Sequence, residues 1–138
     1  MNYKILAKYI KDLKFSIPNP EIFFLLTKDI SNYKINIDIK SIQFKEKIIE
    51  VETTLRLNPT KENFKKIDVM IAHSTIVELK DIIADKKRLE EIILVKVPSE
   101  IYSEIREAFV FLFEKSGFKN IKIDQSVDFN KLYNQKKN

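Results

Sequence analysis

A single histidine, His73, and no cysteine make up the whole supply of imidazole and thiol groups in this chain of 138 residues. Zinc sites draw on several Cys and His ligands together, so His73 has no company with which to form one. It lies in a segment that reads as a strand, where a lone histidine is a structural or surface residue. A nucleophilic triad would have to use His73 as its base, and no serine stands in a recognisable elbow. Phosphate-cradling loops are built on glycine, and Gly117 is the only one in the chain. Paired carboxylates remain: Glu50 with Glu52, Glu90 with Glu91, and Glu104 with Glu107. Acid–base work needs two carboxyl groups held in different environments across a substrate, whereas these pairs read as solvated strand and helix faces. No enzyme, metal or cofactor is expected.

Composition sets the class. Hydrophobic residues at 44% and charged residues at 33% are ordinary for a folded soluble domain and argue against disorder. The length suits one domain, residues 1–138, with a core of its own. The absence of cysteine fits a reducing cytosol. Lys4 and Lys8 interrupt any signal-peptide core, and the apolar run Ile22 to Leu26 is far too short to insert stably in a membrane. A net charge of +5 raises the question of nucleic acid. Arg, the residue suited to bidentate recognition, occurs only at Arg56, Arg88 and Arg106, so the balance argues against nucleic acid as the partner.

The elements follow from periodicity. Ile5, Leu6, Tyr9, Ile10 and Leu13 share a helical face, while Tyr3, Ile5, Ala7 and Tyr9 share a strand face; pattern alone slightly favours a helix over residues 3–15. Pro18-Asn19-Pro20 breaks that element, and Ile22 to Leu26 reads as one helical turn or an irregular buried stretch. Tyr33, Ile35, Ile37 and Ile39 alternate with polar residues, as do Ile49, Val51, Thr53, Leu55 and Leu57, which predicts two strands joined at Lys45-Glu46-Lys47. Asn58-Pro59-Thr60 starts the next connection, and Ile67 to Leu79, rich in β-branched residues, reads as a further strand. Asp85 to Leu94 reads as a short helix. Pro98 suits the first turn of a longer one, with Gly117 as its stop. Asp128 is a good cap for a last short helix, and the tail from Gln135 reads as frayed. The expected fold is α+β: a four-stranded antiparallel sheet with one long and one or two short helices. Phe109, Phe111 and Phe113 make the second half of the long helix apolar nearly all round, so one side should meet the sheet and another a second subunit, and all three are assigned to that oligomer interface.

Two terminal segments carry a resemblance. Tyr9-Ile10-Lys11-Asp12-Leu13-Lys14-Phe15 followed by Pro18-Asn19-Pro20, and Gly117-Phe118 followed by Val127-Asp128-Phe129-Asn130-Lys131-Leu132-Tyr133, resemble the opening and closing motifs of the protein-export chaperone SecB family. Pro98 and Arg106-Glu107 fall between them in the family order. The resemblance implies a strand at the N-terminus and a cytoplasmic bacterial chaperone assembled as a homotetramer, a dimer of dimers. It further implies that unfolded secretory preproteins are held without nucleotide and passed to the translocase motor SecA. Carried over by position, Ile35, Ile37 and Ile39 would line part of a client groove, joined by Phe23, Phe24, Phe129 and Tyr133, which lie near the matched motifs. Asp12 matches one acid of the family's SecA-docking surface. This chain departs from the pattern: it is basic where the family is acidic, Ser16 and Met70 stand where further docking acids are expected, and Lys119 follows Phe118 where the family has proline. A SecB-like module dedicated to one partner, such as an antitoxin, is the alternative, and a basic nucleic-acid-binding domain is a more distant one.

Overall fold

The computed structural model describes residues 2–29, 33–59, 67–81, 85–118 and 123–137; Thr60 and Lys119 lie outside them. Four strands, β1 (Tyr3–Ser16), β2 (Tyr33–Lys45), β3 (Ile48–Pro59) and β4 (Asp68–Leu79), form one antiparallel sheet in the order β1-β4-β3-β2. Helix α1 (Pro20–Asp29) lies between β1 and β2; α2 (Lys86–Glu91), a π-helical segment (Ile92–Lys96), α3 (Val97–Lys115) and α4 (Phe129–Lys137) follow β4. No helix among the described residues is long and apolar enough to cross a membrane.

Residues 3–15 form a strand, not a helix, and the reason for the ambiguous pattern is geometric. Register with β4 shifts between Ile5 and Ala7 and again between Ile10 and Asp12. Each bulge inserts one residue and flips the faces that follow. The residues paired with the buried row Leu79, Val77, Thr75, His73, Ile71 and Val69 are therefore Tyr3, Ile5, Lys8, Ile10, Leu13 and Phe15. Ile5, Ile10 and Leu13 thereby share a sheet face although they are five and three residues apart, and the same three also fall on one helical face, which is why the pattern reads both ways. Ala7 and Tyr9 sit on the opposite face from Tyr3 and Ile5, so the continuous strand face read from the sequence is corrected.

Pro18-Asn19-Pro20 starts a helix as well as ending a strand. Asn19 Oδ1 accepts the Ile22 N–H at 2.9 Å, and Pro20 occupies the first helical position, where its missing N–H has no cost. Ile22 to Leu26 thus belongs to a ten-residue helix rather than a single turn. At the hairpin, Lys47 takes a left-handed φ of 66° to close the turn from β2 to β3.

Pro98 does not open a separate helix. The chain stays helical from Lys86 to Lys115, and the Val97 N–H reaches back five residues to the Ile92 carbonyl. The widened π turn lies immediately before the proline, which has no N–H to continue the α ladder. Gly117 ends α3 with a φ of 95°, with its N–H on Glu114 O and the Phe118 N–H on Phe113 O. This is a Schellman closure sealed by the Phe113–Phe118 ring contact at 5.4 Å. Asp128 caps α4, its Oδ1 accepting the Lys131 N–H at 3.1 Å, and the helix runs on through Gln135 instead of fraying there.

The helices cover one face of the sheet. Leu55, Leu57, Val69 and Ile71 meet Ile101, Ile105, Phe109 and Phe113 of α3 in the main core, and a second cluster gathers Tyr3, Ile49, Val77 and Leu79 with Ile92, Ile93 and Val97. Removing that apolar surface from water is the main force holding helix to sheet.

Candidate functional site

Five of the seven residues assigned to client binding line or pack against the same core margin. Ile35, Ile37 and Ile39 pair with Leu57, Leu55 and Thr53, so they point to the helix-covered face. They are only half-buried, because β2 is the sheet's outer strand and α3 lies over its neighbours. Phe23, on α1, is half-buried and tilts against Phe118 at 5.0 Å between ring centroids. Tyr133, on α4, is half-buried and donates its hydroxyl to Glu90 Oε2 at 2.8 Å, an anionic neighbour that pushes its ionisation up.

The other two lie apart from that margin. Phe129 is 2% exposed and packs edge-on to Tyr102 at 6.0 Å, so it anchors α4 and has almost no surface to offer a ligand. Phe24 is 64% exposed beside Phe23, at the rim. Ile35, Ile37, Ile39, Phe23 and Tyr133 thus form half-buried aliphatic and aromatic surface packed against the main core, three of them on an edge strand of the sheet. α4 is held in place by the Phe129 anchor, the Tyr133 hydrogen bond and contact with the π segment, which also touches β2. Such a surface offers apolar contact without shape-specific polar groups, and β2 is an edge strand of the sheet among the described residues.

The outer sheet face is polar. Asp12 lines a trough of about 580 Å³ there, with Lys11, Lys40 and Arg56 set against Asp38 and Glu52. Asp12 Oδ1 accepts the Leu13 N–H at 2.9 Å. Met70, one of the two positions where a further family acid is missing, lines the same trough. Beside it, Glu50 accepts from Ser74 at 2.7 Å and from Lys11 at 3.2 Å; the Ser74 bond first and Lys11 next hold its carboxyl below the usual range. Glu50 and Glu52 are thus tied into one ion-pair network with Lys11 instead of being freely solvated. On the helix side His73 is buried, and burial pushes its ionisation down.

The aromatic trio of α3 divides. Phe109 and Phe113 are both 0% exposed against this chain's own sheet, which leaves them no surface for another subunit; only Phe111, at 54%, faces outward. The expectation that all three meet a partner is corrected, because the helix turns two of them into the core. The residues the sequence reading missed are on β1. Leu6, Ile10 and Leu13 are open to solvent, since the helices lie over β3 and β4 and leave this edge strand uncovered. Ile42 and Phe44 were also missed. Their signal was present: the apolar positions of β2 switch from odd to even numbers after Ile39.

A family model described as preprotein translocase subunit SecB matches residues 1–138. The Pelagibacter ubique (strain HTCC1062) protein named "Putative protein-export protein SecB" is 39% identical over 137 residues, covering 99% of this chain and 98% of that one. The protein-export protein SecB of Ehrlichia ruminantium (strain Gardel) is 28% identical over 155 residues, with 96% and 88% covered. Among solved structures, a Mycobacterium tuberculosis SecB-like chaperone in complex with a ChAD peptide from the HigA1 antitoxin superposes with a TM-score of 0.62, over 91% of this chain and 88% of that one. Its 10% identity makes that a likeness of fold. Matched along its whole length and 39% identical to a relative of the same extent, this chain belongs to the SecB family.

Proposed function

We propose that this protein is a nucleotide-independent holding chaperone of the cytoplasm, which binds unfolded secretory preproteins and hands them to SecA. The observation that carries this reading is the half-buried row Ile35, Ile37 and Ile39 on an edge strand of the sheet, which packs on the same core as half-buried Phe23 and Tyr133. An extended chain laid along it would pair its main chain with β2 and drop apolar side chains onto the row. Binding the unfolded state alone withdraws it from folding and aggregation by mass action. Several such strips on one assembly would multiply weak contacts through effective concentration. We assign the assembly to a homotetramer, a dimer of dimers, that uses the free edge of β1 with Leu6, Ile10 and Leu13, and the α3 face around Phe111.

Hand-over to SecA uses the outer sheet face at Asp12 in this reading. With Asp12, Asp38 and Glu52 matched by Lys11, Lys40 and Arg56, that face lacks a net negative field, so its docking depends little on salt. The test is dilution of two unrelated, chemically unfolded preproteins into nucleotide-free buffer. Suppression of aggregation of both at near-stoichiometric protein is expected; suppression of neither overturns the reading. A second reading rests on the fold likeness to a SecB-like chaperone solved with an antitoxin peptide. A module dedicated to one partner would protect that partner and neither preprotein.

A further inference from the structure

The two edge strands of the sheet differ in regularity. β1 is broken by register shifts after Ile5 and after Ile10, whereas β2 keeps a single register with β3 from Tyr33 to Gln43. An extended segment added beside β2 can therefore stay in step with it along that whole stretch. On the helix side such a segment would lie next to Ile35, Ile37 and Ile39, which are half-buried against the core.

On the polar side it would lie next to Lys34, Asn36, Asp38 and Lys40, all of them exposed. Their partners across the ladder on β3 are Asn58, Arg56, Thr54 and Glu52. Lys34 thus faces a neutral amide, with Arg56, of its own sign, at the diagonal. Asp38 faces a neutral hydroxyl; of the charges at its two diagonals, Glu52 repels it and Arg56 is paired with Asp68 at 3.5 Å. Lys40 does face an acid, but Lys11 already holds that Glu52 at 3.4 Å. Among the described residues none of Lys34, Asp38 and Lys40 forms an ion pair. A neighbouring strand would meet a fixed order of charges here, positive, neutral, negative, positive, rather than a field of one sign.

We propose that Lys34, Asp38 and Lys40 select among extended client segments by the order of their charges. The favoured segment has apolar residues opposite Ile39, Ile37 and Ile35, with an acid opposite Lys40, a base opposite Asp38 and an acid opposite Lys34. This rests on the holding function proposed above and names the class of segment it takes. Side chains directly opposite on neighbouring strands are the closest, so each position is matched or mismatched on its own account. The sheet is antiparallel throughout, and a segment that continues it runs, from its N-terminus, acid, apolar, base, apolar, polar, apolar, acid. Because position sets the match, a segment of the same net charge with its acid and base exchanged loses two attractions and gains two repulsions.

The test is fluorescence anisotropy of the full protein with two labelled peptides of one composition, run beside the aggregation assay. One carries Glu-Val-Lys-Val-Thr-Val-Glu and the other Lys-Val-Glu-Val-Thr-Val-Glu, each between Gly-Ser flanks. The first should bind about fivefold more tightly, and high salt should narrow the gap. Exchanging the two charges on the protein, Asp38→Lys with Lys40→Glu, should reverse the preference. N-methylation of one alternate set of amides in the first peptide should abolish its binding and of the other set leave it, because only one set faces β2. Equal binding of the two peptides, a preference that the exchanged variant keeps, or indifference to both methylations overturns the proposal. If both preproteins are still protected from aggregation in any of those cases, the holding function stands without this selection. If neither peptide binds and neither preprotein is protected, both fall together.

Discussion

Thr53 is wholly buried on the helix side of β3, and its hydroxyl oxygen has no hydrogen-bond partner among the described residues. A buried, unsatisfied hydroxyl gives up water and receives nothing in return. Thr53→Val keeps the branched shape and removes the orphan, so it should raise stability by about 1 kcal/mol, read as a higher urea midpoint with an unchanged slope. Across the ladder from it, His73 lies buried, with burial lowering its ionisation below the usual 6.5, Glu104 opposing that and Lys8 adding to it. The folded state therefore favours the neutral ring. Its contribution is complete above the unfolded-state value and is lost as pH falls through that value towards the lower folded one. The melting temperature should drop between about pH 7 and pH 5, and His73→Gln should flatten that slope. Glu50, whose carboxyl lies below 4.5, contributes in the same direction at lower pH, which separates the two groups.

At the scale of elements, the informative one is α4. It is fixed by Phe129 in the core and by the Tyr133 hydroxyl on Glu90, and it touches the π segment, which also touches β2. Tyr133→Phe removes the second tie and keeps the ring. Amide exchange in α4 should quicken while that of β3 and β4 stays the same, a local opening rather than a global loss. α3 offers the contrast. Phe109→Ala opens a cavity against the sheet and should cost about 3–5 kcal/mol. Phe111→Ser removes an exposed ring with the Lys115 ammonium 5.6 Å from its centroid, so its own fold should be nearly indifferent. Helical spacing decides which phenylalanine is core and which is surface: Phe109 and Phe113, four apart, share the buried face, and Phe111, two from each, lies on the other side.

For the whole molecule, the uncovered β1 is where the proposed assembly can be tested. An edge strand with Leu6, Ile10 and Leu13 exposed is a template for pairing with another chain. Ile10→Asp should halve the mass seen in sedimentation if β1 joins protomers, whereas Phe111→Ser should separate dimers while leaving each intact. Both variants should keep the monomer's helix content, because neither side chain supports the core that a single chain builds for itself.

Much of the architecture was legible in the residues. The alternation of β2, β3 and β4, the Asp128 cap, the Gly117 stop and the family motifs at both ends are local patterns, written by side-chain period and by backbone groups that need a partner nearby. The row Ile35, Ile37 and Ile39 could be placed on one strand face for the same reason. Tertiary structure alone decided what was covered. Two bulges turned an apparent helical stripe into a strand, the π segment carried one helix through Pro98, and the position of α3 over β3 and β4 buried Phe109 and Phe113 while exposing Ile10 and Leu13. Periodicity says which residues share a face; only the packing of distant elements says whether that face meets protein or water.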